Sequence, residues 1–359
     1  MMTTATGQPS FDDEIFEYWI PRLVADGVDA NDIQSVRPKI TNWDDWPVAW
    51  SAVADQHYSL AHDRLSNGSL VTAGEAFVRA SLCYHVGQVV AGHAPDLKRK
   101  LQKQKEAAFR EAAPHLLPPA ERIEIRHEDH VLPGYLRLSA AAENAQPCVI
   151  LVPGLDSTKE DFFSISEMCV KRGLASFAYD GPGQGEVRDK ALLKEGYERS
   201  ILSVYNEIES RPEIDAQRIG LLGRSLGGYY ILRAASLNAR VKALAVFGGC
   251  YDLGDWETMP KTILDGFLWT TDSATYDDAR TKMGSATLDD CIANVLCPTL
   301  IIHGKRDAIF HYKQAQRIAD SLGDLAELHI ETNGVHCCHN LGFQYRTLMA
   351  DWMAGTLTA

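Results

Sequence analysis

From residue 118 to the C-terminus, short and almost wholly apolar runs alternate with longer stretches of helical periodicity, and few folds accept that pattern. The runs are Cys148–Val152, Ala175–Tyr179, Ile219–Leu222, Ala243–Phe247 and Thr299–Ile302. They are too short for buried helices and lack the apolar–polar alternation of a strand with one wet face. Each therefore reads as a strand covered on both faces. Lys159–Lys171, Tyr197–Ser210, Leu226–Leu237 and Tyr312–Leu322 lie between them with helical character. Such alternation predicts a mostly parallel sheet flanked by helices. Ile123–Ile125 and Tyr135–Leu138 do alternate, with Pro133-Gly134 between them, and read as an antiparallel edge pair. Glu327–Glu331 adds a last strand before a closing helix at about Phe343–Met353, completing an eight-stranded α/β domain.

Residues 10–115 hold no comparable run and read as helices throughout. Trp46, Trp50, Val53, His57, Leu60 and Ala61 recur at three- and four-residue steps, and Ser66-Asn67-Gly68 ends that helix. A second helix spans roughly Ala73–Val90, and a third follows Ala94-Pro95. The basic residues of the third (Lys98, Arg99, Lys100, Lys103 and Lys105) read as a solvated face. Leu117-Pro118-Pro119 breaks the pattern. The division expected is a helical domain over 1–117 and a catalytic domain over 118–359.

Charge narrows the partners. With 35 basic against 48 acidic residues the net charge is −13, a surface that repels nucleic acid and anionic membranes. Asp12, Asp13, Glu14 and Glu17 occupy the place where a secretory leader would be basic and then apolar, and no apolar run reaches membrane-spanning length. A cytoplasmic protein is expected. The eight cysteines are thinly spread and without a CxxC pair, so they read as reduced core residues. His336-Cys337-Cys338-His339 resembles a metal cluster only in letters, because adjacent cysteines chelate one ion poorly. No metal or cofactor is expected.

Ile219–Leu222 runs into Gly223-Arg224-Ser225-Leu226-Gly227 and then a helix. A strand, a GxSxG turn and a helix lift a serine clear of a sheet, and the flanking glycines let strand and helix backbones approach. Ser225 is the candidate nucleophile. Its partners should follow in the order carboxylate then histidine. Asp307 comes just after the Thr299–Ile302 strand, and His336 just after the last strand, so all three fall on one sheet edge. His339 competes with His336 as the base, while His303 reads as a hydrogen-bonded structural residue. The Leu226 amide at the helix start and the Leu155 amide in Val152-Pro153-Gly154-Leu155-Asp156 are the expected oxyanion donors. Asp180-Gly181-Pro182-Gly183-Gln184-Gly185 lacks dinucleotide-loop spacing and reads as a rigid turn near the site entrance. Between Phe247 and Thr299 lie about fifty residues, too many for a simple connection, so a lid is expected over about 250–292.

These motifs identify the chain as resembling the α/β-hydrolases, and more narrowly the carbon–carbon bond hydrolases related to 2,6-dihydroxypseudooxynicotine hydrolase, fungal polyketide-shortening enzymes among them. The residues carrying the likeness are Pro153–Glu160, Asp180–Gly185, Gly223–Gly228 and His336–Asn340, with Asn42–Pro47 extending it into the helical domain. The resemblance implies cleavage of a bond next to a ketone, in a 1,3-diketone or vinylogous system, by Ser225, Asp307 and His336 without a cofactor. It also implies a helical domain that helps cover the site, a homodimer, and an extra acidic residue near the lid. Asp252, Asp255 and Glu257 are candidates for that acid, with Trp256 beside them as a substrate contact. The aromatic residues suit a bulky, ring-containing substrate. A carboxylesterase or thioesterase would use the same triad, and a non-catalytic regulatory protein would keep the fold without turnover.

Overall fold

The computed structural model describes residues 15–141 and 144–359. Asp12, Asp13 and Glu14 lie outside the described residues. The chain divides into two compact units, Met1–Arg122 and Ile123–Ala359. Among the described residues no helix is long and apolar enough to cross a membrane.

The first unit is helical: α1 (Ile20–Asp26), α2 (Ala30–Val36), α3 (Asp45–Ser66), α4 (Leu70–Val89) and α5 (Pro95–Ala112). At the start of α3 the Asp45 carboxylate accepts from the Thr41 amide and hydroxyl at 2.9 and 2.7 Å. Gly68, at φ +75°, ends it in the left-handed turn expected of Asn67-Gly68. Trp46, Trp50, Val53 and Ala61 of the predicted stripe are buried, and Trp46 packs between Trp19 and Trp50 with ring centroids 6.1 and 5.9 Å away. Leu60, by contrast, is exposed. The basic face of α5 is not solvated throughout, contrary to what its sequence suggested. Lys98 and Lys105 are buried, and the Lys98 ammonium donates to the Gln88 and Val89 carbonyls at 2.6 and 3.1 Å, capping the last turn of α4.

The second unit carries one eight-stranded sheet in the order β1-β2-β4-β3-β5-β6-β7-β8. The strands are β1 (Ala120–His127), β2 (His130–Arg137), β3 (Gln146–Val152), β4 (Ala175–Tyr179), β5 (Ile214–Arg224), β6 (Leu244–Phe247), β7 (Thr299–Gly304) and β8 (Ala326–Glu331). β2 joins β4 antiparallel, and from β4 to β8 every pairing is parallel. The hairpin turn falls at Glu128-Asp129, with Glu128 at φ +50°, and not at Pro133-Gly134. That dipeptide lies inside β2, where a Cβ on Gly134 would stand 2.1 Å from the Phe177 ring.

Helices α6 (Phe163–Val170), α7 (Glu198–Glu209), α8 (Leu226–Leu237), α9 (Lys261–Thr271), α10 (Tyr276–Lys282), α11 (Lys313–Leu322) and α12 (Gly342–Thr358) complete the unit. α12 buries Met349, Met353 and Leu357 in a core with Val149, Leu151, Leu222 and Leu300. β3 stands between β4 and β5, so the chain order reverses there, and an open sheet binds ligands beyond the carboxyl ends of its strands at such a point.

Candidate active site

Ser225 sits between β5 and α8 at φ 56°, ψ −127°, a conformation that costs a non-glycine residue about 1–3 kcal/mol and persists only where packing enforces it. The enforcement is visible. A Cβ on Gly223 would stand 2.3 Å from the Gly227 carbonyl oxygen, and one on Gly227 2.3 Å from that of Val152. The Ser225 amide donates to the Phe247 carbonyl at 2.8 Å, tying the turn to the end of β6. Gly154 lies close by: its Cβ would come 3.1 Å from Ser225 Cβ and 3.5 Å from the Leu226 amide nitrogen. Leu226 begins α8, where helix geometry leaves amides unsatisfied. No backbone carbonyl among the described residues accepts from the Leu155 or Leu226 amide.

Asp307 and His336 meet at the carboxyl ends of β7 and β8. His336 Nδ1 and Asp307 Oδ2 are 2.7 Å apart, and both side chains are buried. The other carboxylate oxygen accepts from the Ile309 and Phe310 amides at 2.8 and 3.0 Å. His303 Nε2 stands 2.9 Å from the Phe310 carbonyl and 3.3 Å from Asp307 Oδ2, the oxygen that also meets His336. Burial opposes ionisation of Asp307, but contacts with His336 and His303 outweigh it and hold the pKa well below 3.8. Burial likewise opposes charge on His336, and the adjacent carboxylate outweighs it, holding the pKa above 6.5. A proton on Nδ1, shared with Asp307, leaves Nε2 as the basic nitrogen.

Cys337 and Cys338 follow His336 at φ 50° and 44°, two consecutive left-handed non-glycine residues. The Cys337 thiol donates to the Phe247 carbonyl at 3.1 Å, the same oxygen that receives the Ser225 amide. One peptide group at the end of β6 therefore anchors both the serine turn and the histidine loop. His339 Nδ1 faces the Arg346 guanidinium at 3.2 Å, so a donor occupies that nitrogen.

A buried charge network joins the segments that follow β3 and β4. The Lys159 ammonium contacts Asp180 at 2.6 Å, Glu160 at 2.7 Å and Glu186 at 2.9 Å, and its side chain has no exposure. The three carboxylates could gather around a cation, and Lys159 supplies that charge itself. Arg224, immediately before the nucleophile candidate, donates to Asp161 at 2.5 Å and Ser157 at 2.6 Å while its guanidinium lies 4.6 Å from the Phe162 ring centroid. Sequence reasoning missed these roles. The available signal was a cluster of charged residues, Lys159-Glu160-Asp161, in the loop that follows a strand apolar on both faces.

The chain matches the family described as "Esterase FrsA-like" over residues 40–279. It is 32% identical to "2,6-dihydropseudooxynicotine hydrolase" of Paenarthrobacter nicotinovorans, covering 99% of this chain and 96% of that protein. The chain belongs to the FrsA-like esterase family. It is an α/β-hydrolase. Hydrolase acrC of Aspergillus aculeatus is also 32% identical, over 68% of this chain and 63% of its own length. A solved structure described as that of 2,6-dihydroxy-pseudo-oxynicotine hydrolase superposes with a TM-score of 0.87 at 31% identity, covering 94% of this chain and 95% of the other.

In this family member the segment between β6 and β7 folds into α9 and α10. A Cβ on Gly266, within α9, would lie 3.2 Å from the Leu155 side chain, so the helix covers the residue carrying one candidate oxyanion donor. Arg188 donates to the Trp269 carbonyl and lies 4.2 Å from that ring's centroid, tying α9 to the turn after β4. Trp256 is buried against Phe267 at 4.7 Å. The three acidic candidates part ways. Asp252 pairs with Arg317 at 2.5 Å and with Gln314 at 3.1 Å, which holds its pKa below 3.8 despite partial burial. Glu257 pairs with Arg280, and its carboxylate is 78% exposed, which places it at the surface instead of in a buried pocket. Asp255 accepts from the His311 amide at 2.9 Å, on the loop that begins at Asp307. In the helical unit, Asp32, His57 and Cys83 bring ligand atoms within 4.8 Å of one another; His57 bonds Asp32 directly at 2.8 Å, and burial pushes the Cys83 thiol pKa up.

Proposed function

We propose that this hydrolase uses Ser225 as nucleophile, His336 as base and Asp307 as its orienting carboxylate to cleave a carbon–carbon bond next to a ketone. The observation that carries the triad is the shared Phe247 carbonyl, which holds the Ser225 amide and the residue after His336 while His336 bonds Asp307. Carbon–carbon cleavage rests on the near-full-length likeness to the Paenarthrobacter hydrolase. His336 Nε2 takes the hydroxyl proton as Ser225 attacks the ketone carbon, and the Leu155 and Leu226 amides hold the oxyanion. Collapse expels carbon as an enolate, which a neighbouring carbonyl or electron-poor ring must stabilise. His336 then protonates that carbon, and water activated at the same nitrogen releases the acid. Serine polarising a water for direct attack is the alternative route. Asp255, held by the His311 amide on the loop that begins at Asp307, is the lid-side substrate contact of this reading, whereas Trp256 packs away against Phe267. The reading includes a homodimeric, cytoplasmic enzyme acting on a bulky aromatic or polyketide-like ketone; all eight cysteines are free and buried, as suits a reducing compartment.

The family description favours a second reading, an ester or thioester hydrolase with the same triad. A panel of aryl 1,3-diketones and activated esters separates the two. Diketone cleavage that disappears in Ser225→Ala supports the first, and rapid ester turnover with inert diketones establishes the second. Failure of a fluorophosphonate to label wild-type Ser225 would overturn both.

A further inference from the structure

We propose that Gln184 is a positioning residue that aims and polarises the Leu155 amide; this rests on the oxyanion role proposed above for that amide. Gln184 is 3% exposed and sits in the turn after β4. Its Nε2 donates to the Gly154 carbonyl in a short hydrogen bond and lies 3.4 Å from the Pro153 carbonyl. Its Oε1 accepts from the Gly181 amide at 3.0 Å and the Tyr197 hydroxyl at 2.7 Å. This network permits only one orientation of the side-chain amide. Gly181 N–H can only donate and the Gly154 carbonyl can only accept, so a flipped amide would set oxygen against oxygen and nitrogen against N–H.

The Gly154 carbonyl and the Leu155 N–H belong to a single trans peptide and so point in opposite directions. Holding the carbonyl from one side directs the N–H to the other. The hydrogen bond at the carbonyl also draws electron density toward oxygen and makes the N–H a stronger donor. The anchor is rigid in turn. Tyr197 stacks on Tyr230 of α8 with ring centroids 4.0 Å apart and an interplanar angle of 16°. A Cβ on Gly181 would stand 2.1 Å from the Tyr197 hydroxyl, so the turn needs glycine for that tyrosine to reach Gln184. The helix carrying the Leu226 amide and the peptide carrying the Leu155 amide are thereby linked through Tyr230, Tyr197 and Gln184. Two candidate donors to one oxyanion are held in mutual register by side chains that need not touch substrate.

The test compares wild type, Gln184→Glu, Gln184→Ala and Ser225→Ala in the full chain, with a p-nitrophenyl ester as substrate and an aryl trifluoromethyl ketone as oxyanion-forming inhibitor. Gln184→Glu keeps the size and the acceptor facing Gly181 and Tyr197 but turns an acceptor toward Gly154. We expect kcat to fall about 10²–10³-fold, as when one oxyanion donor is lost, with KM within about twofold. The ketone's inhibition constant should rise by a matching factor; the Gly154 carbonyl left without its donor also lowers stability, so the kinetics are read well below each variant's melting transition. Gln184→Ala should show the same split, and it gives the readout should the glutamate variant fail to fold. Unchanged kcat and ketone affinity would overturn the proposal. A fall in kcat matched by a rise in KM, with ketone affinity unchanged, would also overturn it, because it would mark a merely structural residue. Ester turnover surviving in Ser225→Ala would instead remove the oxyanion reading on which the proposal stands.

Discussion

Replacing Asp307 with asparagine keeps the shape of the site and removes one charge. The carboxylate and imidazole touch at 2.7 Å, and both are buried. Their delocalised charges are centred about 4 Å apart, where an effective dielectric of about 20 gives about 4 kcal/mol of attraction. At 1.36 kcal/mol per pH unit, that attraction is worth about three units of His336 pKa. Without it burial, which lowers the pKa of a histidine, is opposed only by the lesser influence of Cys337. The assay is the rate at which a fluorophosphonate labels Ser225, followed by intact mass across pH, since slow labelling remains measurable over hours. In wild type the rate should climb with pH through a midpoint above 6.5, as His336 loses its proton. In Asp307→Asn the plateau should fall steeply, by about 10⁴ on the precedent of serine-protease triads, and the midpoint should move down by on the order of three units. A midpoint that stays put or rises would refute the assignment of Asp307 as the dominant influence on the base. Stability carries the same signature. A histidine with a raised folded pKa contributes stability that is complete below 6.5 and lost as pH rises through the folded value; the lowered Asp307 contributes stability present above 3.8 and lost in acid. The melting-temperature gap between wild type and variant should therefore be widest between about pH 4 and 6.5 and should narrow in alkali.

Other substitutions reach different parts of the fold. Lys159→Met leaves Glu160, Asp180 and Glu186 around a missing charge, and should cost about 3–5 kcal/mol, lowering the calorimetric melting temperature by at least about 6 °C; an unchanged melt would show that the network is not a net support. Gly227→Ala forces a methyl against the Val152 carbonyl, and about 1–3 kcal/mol of destabilisation in urea titration should accompany loss of turnover. Wild-type activity in that variant would contradict the packing described at the serine turn. Lys98→Met strips the Gln88 and Val89 carbonyls of their donor and should destabilise the helical unit by about 1–3 kcal/mol in chemical denaturation, whereas an exposed lysine would move the midpoint hardly at all.

The strands from Cys148 to Ile302 and the helices between them were legible because a strand buried on both faces must be apolar throughout and a helix packing one face must repeat near 3.6 residues. Both are local rules that a chain displays whatever lies opposite. The turn at Ser225 was legible for a related reason: Gly223 and Gly227 are demanded by backbones that approach within a few residues of each other. Lys98 shows where local reasoning stops. Its neighbours spell a charged helix face, and only the end of α4 lying alongside turns that ammonium into a cap. Pro133-Gly134 carried the letters of a turn but lies within β2, because the Phe177 ring of the adjoining strand needs the space above a glycine. Composition and periodicity therefore determined the layers of this protein and the edge on which its chemistry sits. Tertiary packing decided which charges are buried, which carbonyl ties Ser225 to the histidine loop, and which side chain grips the Gly154 peptide, because those partners lie tens of residues apart and a one-dimensional pattern carries no record of long-range approach.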